Sequence, residues 1–370
     1  MRFGEVPGII RAHEAAGTPS MLWSPPGVGK SALVRQLCVE DGIKCLDIRL
    51  SLLNPVDLRG IPVVQGDRVM WVPPIFLVKQ GPCRFFCDEV NVAPPATQAC
   101  AYQWFLDNRI GEWEMDRTLV KSKSGKMRPA QTIIGAGNRA SDQAFVHQMP
   151  APLRNRMAHI EVEAHFDDWR DWAWKANVHR YVINFLTYTA RIGVEIKGLE
   201  DSKVGLLFFF DPKQHAAGSF PTPRSWEQVS RFITENPEYR MNTEAIAGML
   251  GVAVAGKFTA FIKVADELPN AEEVLKGKNL KPPAEPSAKY AFCGALAAAL
   301  IRTKKEDRTQ ATRNVAAYCV QNWGDDAEFA VVTMKDFGRT PEYKEVYRSV
   351  IVTKEWTEFT KTFGDLLENN

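Results

Sequence analysis

The chain has 370 residues, 45% of them hydrophobic and 24% charged, and its 46 Lys and Arg against 44 Asp and Glu leave a formal net charge of +2. That length exceeds one simple core and implies two or three domains of ~100 to 200 residues, while the near balance of charge excludes a global field that would draw the protein to nucleic acid or an anionic membrane. No stretch approaches the ~20 apolar residues of a membrane helix, the opening MRFGEVPGII has no basic segment followed by a long apolar run, and the seven cysteines form no CxxC pair, so a cytoplasmic protein with buried, reduced thiols and no membrane partner is expected.

Residues 5–16 read as a short helix ending at Gly17, close to where a nucleotide base would sit. An apolar run, Met21, Leu22 and Trp23, then enters Ser24-Pro25-Pro26-Gly27-Val28-Gly29-Lys30-Ser31. Ala32 follows, in a helix-forming segment with apolar Leu33, Val34 and Leu37. Strand, glycine-rich loop and helix in this order form a phosphate cradle. Glycines let successive backbone N–H groups turn on a polyphosphate, the helix N-terminus adds partial positive charge, and lysine reaches the β- and γ-phosphates. The expected nucleotide contacts are Pro26, Gly27, Val28, Gly29, Lys30, Ser31 and Ala32, with Ser31 also a Mg²⁺ ligand. The pattern is GxxxxGK[ST], with Ser24 where the first glycine would stand.

Residues 44–50 alternate as a second strand. Two β-rich runs, 61–64 and 68–72, flank Gln65-Gly66-Asp67 as a hairpin, either an edge hairpin or a loop projected toward a partner or a central pore. The run 84–89 (RFFCDE) is an apolar strand ending in two carboxylates. At the carboxyl edge of a parallel sheet Asp88 could hold Mg²⁺, and Glu89, pointing differently, could activate a water. A helix over 96–107 carries Ala99, Tyr102 and Leu106 on one face, and residues 121–128 put four positive charges on an exposed hairpin tip. That tip is either a solvated turn or a contact for an acidic partner or nucleic-acid phosphates. The strand 131–137 ends at Asn138, whose amide could orient the hydrolytic water, and Arg154 and Arg156 stand on a short helix before the strand 159–162.

Near residue 165 strands give way to helices, with Trp169, Trp172 and Trp174 crowded on the first and 181–190 forming the second. Pro221-Thr222-Pro223-Arg224-Ser225-Trp226 opens another, residues 243–264 read as one amphipathic helix, and 290–301, 309–322 and 327–336 as a C-terminal bundle. The expected organisation is an α/β nucleotide domain over 1–165, a helical lid over 166–267, a Pro- and Lys-rich linker over 268–288 and a helical extension over 289–370.

In this order the motifs resemble the AAA+ ATPases, and within them the MoxR-like group. CDEVNVAPPATQ (87–98) is similar to that group's Walker B stretch, and FPTPRSW (220–226) to its sensor 2 motif. The hairpin at 60–72 resembles the helix-2 insert of this clade, and that at 110–131 its pre-sensor-1 insertion. The resemblance covers residues 5–265. It implies an α/β P-loop domain with a parallel sheet, an all-α lid, and ATP with Mg²⁺ held by Lys30, Ser31 and Asp88. Glu89 would polarise the water and Asn138 would be sensor 1. Arg156, or alternatively Arg154, would be the arginine finger, and Arg224 would be sensor 2. The sequence Leu-Arg-Asn-Arg-Met stands where the family shows Asp-Arg-Phe. It further implies a hexameric homo-oligomeric ring that remodels a protein, with a von Willebrand factor A domain protein as the partner. A nucleic-acid motor is the alternative.

Overall fold

A computed structural model describes residues 1–368 apart from 79, 124, 140–146, 164, 196–217 and 339. The chain divides into two compact units, Met1–Asp168 and Trp169–Asn370. In order, the first contains α1 (Val6–Ala15), β1 (Ser20–Trp23), α2 (Lys30–Asp41), β2 (Lys44–Arg49), α3 (Pro55–Arg59), β3 (Ile61–Gln65), β4 (Arg68–Val72), β5 (Cys83–Asp88) and α4 (Pro95–Asp107). Then come β6 (Arg109–Ile110), β7 (Trp113–Glu114), β8 (Leu119–Lys121), β9 (Met127–Pro129), β10 (Gln131–Gly137), α5 (Ala151–Arg154) and β11 (Ala158–Glu161).

Five of these strands make one parallel sheet in the order β11-β1-β10-β5-β2. Its middle strands are continuous apolar runs because both faces are covered, as a parallel sheet requires. Consecutive residues face opposite layers. Phe86, Leu22 and Ile134 meet Leu33, Val34 and Leu37 of α2 and Val6 and Ile10 of α1, whereas Phe85 and Cys87 meet Trp104 and Phe105 of α4. The strand ends that carry the phosphate loop, Asp88 and Asn138 therefore open on one edge of the sheet. That is where ligands of such sheets gather.

Three expectations change here. On α4 the buried positions are Thr97, Gln98, Ala101, Trp104 and Phe105, not a face of Ala99, Tyr102 and Leu106. Apolar residues occur all around this helix, so periodicity alone does not choose its side, and the bulkiest ring, Trp104, sets it against Phe85. The basic tip also loses one of its charges. Lys121, Lys123 and Lys126 are exposed, but Arg128 is buried, with Nη2 donating to Thr132 Oγ1 at 3.0 Å and lying 3.8 Å from Glu14. Glu14 also accepts two bonds from the fully buried Arg84, which reaches Asp41 as well. A buried acid cluster thus draws Arg128 inward. Finally, α5 ends at Arg154, leaving Arg156 in the following turn rather than on the helix.

The second unit begins within α6 (Phe166–Lys175) and continues with α7 (Arg180–Glu195), α8 (Pro223–Glu235), α9 (Thr243–Leu250) and α10 (Val252–Asp266). It ends with α11 (Ala271–Leu275), α12 (Pro286–Arg302), α13 (Lys305–Asn322), α14 (Ala327–Gly338), α15 (Pro341–Val350) and α16 (Lys354–Glu368). Residues 196–217 of the expected lid lie outside the described residues. The single helix expected over 243–264 is two, broken at Gly251, whose φ of +81° and closeness to the Ser219 carbonyl suit no other residue. The expected linker contains α11, whose Ala271 and Val274 are buried, and Asn314 donates to the Leu275 carbonyl at 2.7 Å. Pro and Lys content suggested a free segment, but two apolar residues on one turn hold it. Helix α12 is buried nearly all round, with Tyr290 packed on Tyr188 and Phe329.

Candidate nucleotide site

The loop leaving β1 has left-handed backbone at Gly27 (φ +73°) and Gly29 (φ +109°), so side chains there would be strained. Such alternation makes the concavity of N–H groups that anions occupy. Lys30, the first residue of α2, is buried. Its Nζ donates to Ser24 Oγ at 2.9 Å, to the Ser24 carbonyl at 3.0 Å and to Asn138 Oδ1 at 3.1 Å. The serine that departs from the glycine pattern thus has a physical role, since its buried hydroxyl helps park the lysine.

Beside the lysine, Ser31 Oγ donates to Asp88 Oδ2 at 2.8 Å, joining the start of α2 to the end of β5. The next residue, Glu89, has φ +58°, an uncommon conformation for a side chain of its size, and its carboxylate accepts from the Ser51 hydroxyl. Such an outlier persists where surrounding contacts over-determine it, and here it aims two adjacent carboxylates differently. Asn138 is held by its backbone: Asn91 Nδ2 donates to its carbonyl at 2.7 Å, and its N–H donates to Asn91 Oδ1 at 3.2 Å. A Cβ on Gly137 would lie 2.5 Å from Asn91 Oδ1, so glycine is needed for this approach.

No family model matches the chain. Over 156 residues it is 26% identical to the Holliday junction branch migration complex subunit RuvB of Microcystis aeruginosa, a match spanning 41% of this chain and 37% of that protein. Over 146 residues it is 26% identical to RuvB of Prochlorococcus marinus strain MIT 9303, across 38% of this chain and 34% of the relative. The matches thus span about a third of the length of these curated relatives. Sequence similarity and the parallel sheet together support the AAA+ ATPase superfamily. Among solved structures, the Thermotoga maritima RuvB branch migration motor aligns at 18% identity over 80% of each chain with a TM-score of 0.34. Brucella abortus NtrX aligns at 12% over 91% of this chain and 68% of its own, with a TM-score of 0.33. Likeness that distant adds nothing to the sheet order.

Within this core the structure brings together Lys30, Ser31, Asp88, Glu89 and Asn138 of the residues expected from sequence. It does not bring Arg154 or Arg156 to them. Both arginines are exposed, and neither has an ion-pair partner among the described residues. They precede β11, in which Ala158 pairs with Ser20 and Glu161 with Trp23, so they lie off the opposite end of the strands from the phosphate loop. Arg224 stands exposed on the first turn of α8, in the second unit. Three supporting residues, Ser24, Ser51 and Asn91, had no assigned part in the sequence reading. Asn91 was findable, lying two residues after Glu89 in the acidic motif. Ser51 was not, since only the turn after β2 carries it to Glu89.

Proposed function

We propose that this chain is a Mg²⁺-dependent ATP hydrolase of the MoxR-like AAA+ group that works as a homo-oligomeric, hexameric ring and remodels or activates a protein partner. The observation that carries the reading is the convergence of Lys30, Ser31, Asp88 and Asn138 through side-chain hydrogen bonds spanning up to 108 positions of sequence. In this reading Pro26 to Ala32 cradle the phosphates of ATP, and Lys30 exchanges its bonds to Ser24 and Asn138 for phosphate oxygens. Ser31 and Asp88 supply hard oxygen donors, 2.8 Å apart, that suit Mg²⁺. Bound there, the ion would neutralise charge on the phosphates. Glu89 is the base for water, Asn138 orients that water, Arg156 or Arg154 serves a neighbouring subunit, and Arg224 is sensor 2.

The β3–β4 hairpin between β2 and β5, and the β8–β9 hairpin before β10, support the MoxR-like assignment. A protein client, of which a von Willebrand factor A domain is the form this group suggests, is supported by the first hairpin's surface. Ile61, Val63, Val64, Val69, Met70 and Val72 are all exposed, more apolar surface than an isolated hairpin retains without a partner. The similarity to RuvB, named for branch migration, and the exposed Lys121, Lys123 and Lys126 favour a nucleic-acid motor as the second reading. The test is ATP turnover by the full chain with and without linear and four-way DNA, beside Lys30→Ala. Turnover lost in that variant and indifferent to DNA supports the first reading. A rate driven by DNA selects the second, and no turnover under any condition refutes both.

A further inference from the structure

Trp23, the last residue of β1, lies next to the Ser24 that holds Lys30, and its ring stacks on His159 of β11 with centroids 5.9 Å apart and planes 10° apart. Its Nε1–H donates to His159 Nδ1 at 2.7 Å, and His159 Nε2 lies 2.8 Å from the carbonyl of Arg154, the last residue of α5. Indole nitrogen only donates and a carbonyl only accepts, so both contacts are made by a single form of the ring: neutral imidazole with its proton on Nε2. That proton satisfies one of the carbonyls a helix end leaves open, which otherwise receives a longer bond from Met157 N–H at 3.4 Å.

We propose that His159 is a positioning residue for the Arg154–Arg156 turn, clamping it through the Arg154 carbonyl to the strand that carries the phosphate loop. It rests on the reading that this turn supplies an arginine to a neighbouring subunit. Among the described residues neither arginine has a carboxylate to hold it, so the backbone beneath them determines where the guanidinium groups are presented. His159 joins that backbone to β1, the strand whose end leads into the phosphate loop. Trp23 fixes the tautomer and the ring plane.

The whole 370-residue chain is assayed for kcat and for affinity toward a labelled ATP analogue. His159→Ala is expected to lower kcat about three- to tenfold, the effect of one lost hydrogen bond, with analogue affinity within about twofold. His159→Gln, which keeps an N–H donor near the Arg154 carbonyl, is expected to restore kcat to within about twofold of the unmutated protein. His159→Phe keeps the stack on Trp23 without the donor and is expected to stay low. Arg154→Ala and Arg156→Ala are measured alongside. If neither lowers kcat, the neighbour-directed reading fails and the positioning role with it. If one lowers kcat while His159→Ala is fully active, that reading survives and the role of His159 is overturned. Equal recovery by Phe and Gln would assign the effect to packing and overturn it too.

Discussion

Asn91→Ala tests whether the site depends on Asn138 being held by its backbone. Asn91 is 4% exposed and makes two hydrogen bonds to the Asn138 peptide, at 2.7 and 3.2 Å, while Asn138 Oδ1 lies 3.1 Å from Lys30 Nζ. At about 1 kcal/mol net for each bond, the substitution removes about 2 kcal/mol that fixes the tip of β10. Expressed fully in the transition state, that is a fall of about 30-fold in kcat. Affinity for an ATP analogue should change by no more than about threefold, because the loop and Lys30 remain. Steady-state turnover, analogue titration and thermal unfolding of Asn91→Ala, Asn138→Ala and the double variant form a cycle. If Asn91 acts through Asn138, the double variant is no slower than Asn138→Ala. Full activity in Asn91→Ala, or losses that multiply in the double variant, would refute the reasoning.

Glu89→Gln should keep ATP-analogue binding while turnover falls by ~10² or more, since the change removes a base and leaves Ser31 and Asp88 in place; turnover at the normal rate would mean that another residue activates the water. Neutralising Lys121, Lys123 and Lys126, with buried Arg128 left intact, should change nothing in a DNA titration, because no salt-sensitive complex is expected. A complex whose log K falls by about 0.9 per phosphate contact against log salt, flattened by the triple change, would favour the nucleic-acid reading. Burial, aided by Arg180 and Arg240, holds His179 down to about 4 against an ordinary 6.5. A depressed histidine leaves stability full above pH 6.5 and declining as pH falls toward 4, by on the order of 2 to 3 kcal/mol. Thermal unfolding of His179→Gln should be flatter across that window, and an unchanged slope would contradict the assignment.

Much of the first unit was legible because its chemistry is local. Gly27, Gly29, Lys30 and Ser31 are consecutive or nearly so, and the apolar runs before them and before Asp88 and Asn138 have the length of buried strands, so order along the chain implied convergence. What the sequence withheld depended on distant partners. Arg128 read as a hairpin-tip charge because nothing near it shows that Glu14, 114 positions earlier, lies 3.8 Å away. Trp104 could not be ranked above Tyr102 or Leu106 until Phe85 and Trp113 were seen edge-on to its ring. Gly251 looked tolerable inside a helix; only its +81° φ shows that the chain must turn there. The final helices, α15 and α16, lie inside the helical extension expected over 289–370 but have no bounds of their own there, although α15 starts with the proline that such starts favour.

The arginine pair gives the most demanding prediction, because sequence order and geometry bear on it in different ways. Order shows only that two arginines precede the last strand. The register adds that β1 and β11 run parallel through four residue pairs, Ser20 with Ala158 to Trp23 with Glu161. The phosphate loop leaves one end of this ladder and the arginines enter at the other, separated by about 10 Å of strand before side-chain length is counted. The backbone at Arg156 therefore enters at the end of the strands opposite its own loop, and on the proposed ring reading this arginine would complete a neighbouring chain's site. A trans arginine contributes roughly 10³ to 10⁵ in rate in related phosphoryl-transfer systems. Arg156→Ala should bind ATP almost normally, turn it over poorly, and regain activity when mixed with Lys30→Ala, because an intact loop on the first meets an intact arginine on the second. Specific activity of the unmutated chain should rise with concentration as rings form. A fully active Arg156→Ala, no recovery on mixing and turnover independent of concentration would together remove this residue from the shared site, and Arg154, whose carbonyl His159 holds, would be the next to test.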